Sequence, residues 1–214
     1  MSVTRHIRLY LVRHGEVVRD VPDQLFGWTD APLTPRGKAQ SHRASRWLAA
    51  RRLAGVYTSD LARTAYAGDL IAREHGLEAE RAATLREINM GDWEGQSLAA
   101  MDAANPGAVE RLFLQPDQFR YPSGESFIEF RRRVIDTLQT ILGDHEGGEI
   151  AVVTHGGACR IVLGSALEMQ PTAWLRLAQD HGCVNVIDWY DGEPVVRAIN
   201  YTGEPFASDD LGEP

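Results

Sequence analysis

The fold is indicated by a short apolar run that ends in a charged turn, IRLYLVRHG at residues 7–15. We interpret Ile7–Val12 as a buried strand that ends at the turn Arg13-His14-Gly15. A second apolar run, Glu149–Thr154, is followed in the same way by His155-Gly156-Gly157. Two strand–His–Gly junctions in one chain are the first indication of a functional site.

The rest of the chain alternates further strands with amphipathic helices. Predicted helices run from the Thr34-Pro35 cap to about Arg52, from the Ser59-Asp60 cap to Gly76, from Glu125 to Gly147-Gly148, and from His155 to about Leu167. Further strands are predicted at Gly55–Thr58 and in a hairpin of Val184–Tyr190 with Val195–Asn200. This order predicts an α/β fold, a three-layer sandwich with a mostly parallel central sheet flanked by helices. Ligands of such sheets bind beyond the carboxyl ends of the strands, where His14 and His155 lie.

Length and composition fit one domain over residues 1–202. The chain has 214 residues, of which 43% are hydrophobic and 24% charged, as in ordinary globular proteins. Residues 203–214, GEPFASDDLGEP, are acidic and rich in Gly and Pro, so we expect a flexible tail. Two cysteines, Cys159 and Cys183, are too few for a disulfide framework, so a cytoplasmic location is expected.

The net charge and the distribution of apolar residues argue against several classes of binding partner. A formal net charge of −8 argues against binding to nucleic acid or to anionic membranes. No apolar run approaches the roughly 20 residues that a membrane-spanning helix needs. Neither H-x-x-x-H nor C-x-x-C occurs, so no metal site is expected. A small molecule is therefore the expected partner.

The residues around the two histidines suit a phosphate group. Arg13 lies in a buried segment and needs an anionic partner, because an unpaired guanidinium is costly to desolvate. Gly156-Gly157 opens a helix whose free N–H groups suit an anion. Arg63 could join this pocket, or it could form a surface ion pair with Asp60. Two imidazoles, two arginines and two glycine turns predict a pocket in which one imidazole attacks phosphorus.

A departing alcohol also needs a proton donor, and the segment LREINMGDWEG at residues 85–95 supplies several carboxylates. Glu87 lies between Leu85 and Ile88, so we expect it to be the most desolvated of them. The alternative for Glu87 is a cap or an ion pair with Arg86. The basic run Arg131-Arg132-Arg133 is expected on the solvent side of its helix.

The block LVRHGE (residues 11–16) resembles the signature of a known family, the phosphoglycerate-mutase-like branch of the histidine phosphatase superfamily. Six further blocks follow in the order of that family: FGWTDAPLT (26–34), SDLART (59–64), LRE (85–87), GDWEG (91–95), GES (124–126) and VTHGG (153–157). The likeness extends from about Arg8 to Trp189. It implies a phosphoglycerate-mutase-like fold and a reaction that needs no metal and no cofactor.

The resemblance also implies a role for each matching residue. His14 would be the nucleophile that forms a phosphohistidine, and Glu87 would be the proton donor. Arg13, Arg63 and His155 would complete the phosphate pocket. Phe26, Gly27 and Gly156 are the further residues that we expect to contact the substrate. Two positions depart from the family pattern, since Val17 replaces the usual Ser or Thr and Asp20 replaces a common Asn.

Three functions are compatible with this resemblance. We expect a phosphatase that hydrolyses a small soluble phosphomonoester, such as α-ribazole phosphate or a sugar or glycerate phosphate. Family mutases carry extra sequence that shields the phosphohistidine, whereas here only about thirty residues separate Gly95 from Gly124. The alternatives are phosphoglycerate mutase-type transfer and a non-catalytic binding module. Selectivity is expected to come from Leu98–Tyr121 and from the loop near Phe26 and Trp28, and a homodimer is left open.

Overall fold

The computed structural model describes residues 5–203 and contains one six-stranded sheet. Its strands are β1 (His6–Arg13), β2 (Leu53–Thr58), β3 (Ala79–Arg81), β4 (Gly148–Thr154), β5 (Val184–Tyr190) and β6 (Glu193–Tyr201). They lie in the order β3-β2-β4-β1-β5-β6, with β3, β2, β4 and β1 parallel and the β5–β6 hairpin antiparallel. The predicted mostly parallel sheet is therefore confirmed. The predicted acidic tail, apart from Gly203, lies outside the described residues.

Helices cover both faces of this sheet. They are α1 (Pro35–Leu48), α2 (Ala62–Glu74), α3 (Leu98–Ala104), α4 (Ala108–Leu114), α5 (Phe127–Gly143) and α6 (Gly156–Ala166). Alternate side chains of β1 point to opposite faces. Leu9 and Leu11 pack in a cluster with α5 and α6, whereas Tyr10 and Val12 pack in a second cluster with α1 and α2. The sheet and the helices on its two faces, joined by these two apolar clusters, form the three-layer sandwich that the sequence predicts.

Several helix boundaries differ from the prediction. Helix α1 ends at Leu48 and α5 ends at Gly143, four residues earlier in each case than predicted. Helix α2 begins at Ala62 with Leu61 as its N-cap, so Ser59-Asp60 is not the cap. The Asp60 carboxylate instead accepts two hydrogen bonds from the guanidinium of Arg86. A tertiary ion pair has replaced the local cap.

The register of the sheet brings three strand ends into one row. Arg13 pairs with Thr154 across β1 and β4, and Thr58 pairs with Val153 across β2 and β4. The ladder continues for one residue, because the amide of His14 donates to the Thr154 carbonyl at 3.0 Å and the amide of Ser59 to the Val153 carbonyl at 3.0 Å. His14, His155 and Ser59 therefore follow the three strands side by side at one edge. Among residues 5–203, no helix combines the length and the apolar character needed to cross a membrane.

Candidate active site

A cavity of about 150 Å³ lies at this row of strand ends. Of the residues predicted for the site, Arg13, His14, Arg63, Glu87, Phe26 and Gly156 line it, and His155 and Gly27 lie directly behind its wall. The further lining residues are Val17, Arg19, Gln24, Leu25, Met90, Gly157 and Arg160. The structure thus collects the predicted residues around one small hollow.

His14 is held as a neutral imidazole in a defined tautomer. The residue is 6% exposed, and Nδ1 of its ring lies 2.6 Å from the carbonyl oxygen of Gly15. A carbonyl only accepts, so Nδ1 must carry the proton and Nε2 must keep its lone pair. Burial, with the positive charges of Arg13 and Arg63, holds the pKa of His14 well below its ordinary value of 6.5. Both effects favour the form of the ring that can attack an electrophile.

His155 is fully buried behind His14, and its ring meets that of His14 at 63° with 5.2 Å between centroids. Its Nδ1 accepts from Nε of Arg63 at 3.3 Å, so its Nε2 carries the proton and donates to Ser59 Oγ at 3.0 Å. Burial and the charge of Arg63 hold the pKa of His155 well below its ordinary value. This second ring is therefore also neutral.

Arg63 does not form the surface ion pair with Asp60 that was the alternative for it. Its side chain is 1% exposed, and its guanidinium donates to the carbonyls of Gly27 and Thr29 and lies 3.8 Å from Asp30. Glu94 holds the same loop from the other side, because its carboxylate accepts from the amides of residues 27, 28 and 29. We call residues 26–29, held between these two side chains, the clasped loop.

Arg13 is oriented by two groups from the chain before β5. Its Nη1 donates to the carbonyl of Gln179, and its Nη2 donates to Nε2 of His181 at 3.0 Å. Burial, followed by the charge of Arg13, lowers the pKa of His181 to about 3, so His181 stays a neutral acceptor. Nε of Arg13 is buried and, within residues 5–203, has no hydrogen-bond partner. An anion in the cavity would satisfy this donor.

Glu87 is fixed by the backbone at the start of α6. One carboxylate oxygen accepts from the amide of Gly157 at 2.8 Å, and the other accepts from the amide of Ile88 at 3.0 Å. An added Cβ at Gly157 would lie 2.3 Å from the Glu87 carboxylate, so the close approach needs glycine there. The prediction that Arg133 faces solvent is wrong. Its guanidinium donates to the Glu87 carbonyl and forms an ion pair with Glu125.

The structure also shows where the two residues that depart from the family pattern lie, and which segments expected to give selectivity reach the cavity. Asp20 is exposed and outside the cavity lining, so it turns away from the site, whereas Val17 is buried and lines it. No residue of Leu98–Tyr121 lines the cavity, contrary to the expected source of selectivity. Trp93 packs in the core against Phe119 and Tyr121. Of the two sources expected for selectivity, only the loop near Phe26 reaches the cavity.

Sequence reasoning missed four residues that shape the site: Ser59, His181, Arg133 and Arg160. Ser59 had a detectable signal, because it follows a predicted strand just as His14 and His155 do. Arg160 lies within the helix predicted from His155 to about Leu167, where no pattern distinguishes it. His181 and Arg133 gave no local signal, since each reaches the site through a tertiary contact. Within the part of the chain that the structure describes, no group of His, Cys, Asp or Glu side chains is arranged to hold a metal ion.

Comparison with known proteins gives a consistent result. The family model described as the histidine phosphatase superfamily (branch 1) matches residues 9–202. The chain is 30% identical over 185 residues to the protein named probable phosphoglycerate mutase GpmB of Yersinia enterocolitica serotype O:8 / biotype 1B, and 86% of each chain is covered.

Solved structures share the fold. Bacillus stearothermophilus YhfR is 28% identical, with a TM-score of 0.84 over 90% of this chain and 96% of that one. The α-ribazole phosphatase from Shigella flexneri is 24% identical, with a TM-score of 0.81 over 91% of this chain and 96% of that one. At 24% identity, the similarity to the α-ribazole phosphatase from Shigella flexneri shows a shared fold.

Proposed function

This chain belongs to the histidine phosphatase superfamily, and we propose that it hydrolyses a small phosphomonoester through a phosphohistidine on His14. One observation carries the proposal. The Nε2 lone pair of His14 is available, because Nδ1 donates to Gly15, and the ring lines a cavity together with Arg13, Arg63 and Glu87. A neutral imidazole among guanidinium groups suits attack on a phosphate dianion.

In the first proposed step, Nε2 of His14 attacks phosphorus, and the bond from phosphorus to the ester oxygen breaks. The departing oxygen takes a proton from the Glu87 carboxyl group. Arg13 and Arg63 stabilise the negative charge of the transferred group. His155 is retained in the proposed pocket, because its ring adjoins that of His14 and takes part in the same hydrogen-bonded row.

In the second proposed step, water attacks the phosphohistidine and Glu87 accepts the proton that water loses. The bond between His14 and phosphorus breaks, and inorganic phosphate leaves. Hydrolysis is favoured over transfer because no residue between Gly95 and His155 lines the cavity, so this segment supplies no cover that would exclude water. Transfer between positions of phosphoglycerate is the second candidate, because the 30% identical relative carries the name of a mutase.

The test uses p-nitrophenyl phosphate and ³¹P NMR with 2- and 3-phosphoglycerate. We expect phosphate release without exchange of the two phosphoglycerates, and a loss of at least about 10³-fold in rate for His14→Ala. The matched control is His42→Ala, since His42 is exposed and outside the cavity. Rapid exchange with little release would favour the mutase. Unchanged release by His14→Ala would contradict both candidates.

A further inference from the structure

Arg160 is the lining residue whose charge the proposed chemistry leaves unused. It lies on α6, half-buried, and its Nε donates to the carbonyl of Leu177 at 3.0 Å. This bond anchors the side chain, and among the described residues neither terminal nitrogen has a hydrogen-bond partner. Within residues 5–203, no carboxylate lies within 4 Å of them. A guanidinium that lines a cavity and has no anionic partner there is available to bind an anionic ligand.

The guanidinium of Arg160 is a neighbour of that of Arg13. Both lie over Gly156, because an added Cβ there would be 3.2 Å from Nε of Arg13 and 3.3 Å from Nη1 of Arg160. Burial lowers the pKa of Arg13, and the charge of Arg160 adds to the lowering. Two like charges over one glycine repel each other, so an anion bound between or beside them stabilises both.

The charge of the whole cavity exceeds what one phosphate group neutralises. Four guanidinium groups line it, from Arg13, Arg19, Arg63 and Arg160, and the Asp30 carboxylate lies 3.8 Å from that of Arg63. Both flanking histidines are neutral because burial lowers their pKa values. Asp30 offsets one of the four positive charges, and Glu87 carries the proton that it donates in the first proposed step. Three positive charges therefore remain, and a phosphate dianion supplies two negative ones. At least one positive charge remains for another part of the ligand.

We propose that Arg160 binds a second anionic group of the substrate, so that the substrate is a phosphomonoester whose carbon skeleton also carries a carboxylate or another phosphate. Arg13 and Arg63 surround His14 and serve the transferred phosphate, whereas Arg160 stands one helical turn along α6 from Gly156. The second group must be close to the ester, because the cavity is small. This inference rests on the proposed function.

The test compares matched substrates that differ in the second group. The pairs are 3-phosphoglycerate with glycerol 3-phosphate, for a carboxylate, and ethane-1,2-diol bisphosphate with its monophosphate, for a phosphate. We expect kcat/KM to be about 10- to 100-fold higher for the member that carries the second anionic group, in at least one pair. In Arg160→Met this preference should fall about tenfold or more, while Arg160→Lys keeps part of it. The pair that responds identifies the second group.

The control is Arg132→Met, which removes one positive charge from an exposed site on α5. Its substrate preference should equal that of the original protein. A preference that is absent from the original protein, or that survives intact in Arg160→Met, would overturn the inference. Equal losses for both members of a pair would also overturn it, because Arg160 would then serve the transferred phosphate.

A binding measurement separates failure of the inference from failure of the proposed function. Calorimetric titration gives the Kd of the same ligand pairs for the original protein and for Arg160→Met. If no phosphate is released from any ester, the proposed function fails. An Arg160-dependent preference for the doubly anionic ligand would still support the inference in that case, and its absence would refute the inference as well.

Discussion

At the scale of single residues, the absence of a side chain at position 157 governs the carboxylate of Glu87. Gly157→Ala would place a Cβ 2.3 Å from that carboxylate and displace it. We expect kcat for p-nitrophenyl phosphate to fall about 10²-fold or more, as for the loss of a general acid. Gly143→Ala is the matched control, because a Cβ there has open space around it. A normal kcat in Gly157→Ala would mean that Glu87 does not need this position.

The residues that the sequence could reveal are those next to a strand end. His14, Arg13 and His155 were predictable because the backbone itself delivers them to one edge. The partners that orient them were not, because their contacts cross long stretches of chain. Gln179 reaches Arg13 across 166 residues, and His181 reaches it across 168. Such contacts depend on the packed tertiary structure and leave no local pattern.

At the scale of structural elements, the clasped loop depends on one carboxylate. Glu94 accepts three backbone N–H groups of this loop and the amide of Met90. In Glu94→Gln one oxygen becomes an amide donor that faces these N–H groups. We expect a loss of about 1–3 kcal/mol in the free energy of unfolding and a higher KM, because Phe26 of the loop lines the cavity. Urea denaturation and steady-state kinetics measure the two effects.

The control for this change is Glu146→Gln, at an exposed position before β4, which should alter neither quantity. Equal stability of Glu94→Gln and the original protein would contradict the role assigned to Glu94.

Elements with a clear pattern of apolar residues, such as α5 and β4, were predictable from the sequence. Strand β3 was not, because its three residues carry no apolar pattern and it forms only by pairing with β2.

At the scale of the whole molecule, buried neutral histidines make stability depend on pH. The pKa values of His14, His155 and His181 are lower in the fold than the ordinary 6.5, and that of His181 is about 3. Below pH 6.5 the unfolded chain therefore binds protons that the folded chain does not. Stability must rise with pH in this range and fall as pH drops from about 6.5 towards 3.

We expect the Tm from calorimetry to be clearly lower at pH 5 than at pH 7.5. His181→Gln should reduce this dependence, because it removes one titrating group and keeps an oxygen that can accept from Arg13. A Tm that is equal at both values of pH, or higher at pH 5, would contradict the burial of neutral rings. Inorganic phosphate is left out of the buffer, since it would bind the site and stabilise the fold.

Strand β1 lies between β4 and β5, with two strands on one side beyond β4 and one on the other beyond β5. Interior strands of a sheet open only when the molecule unfolds as a whole, whereas edges and loops open locally at lower cost. The His14 ring, which we propose to receive phosphate, directly follows that interior strand. Warming should therefore loosen the surroundings of the cavity first, and the capacity to form the proposed phosphohistidine should disappear only together with the protein's last protected amides.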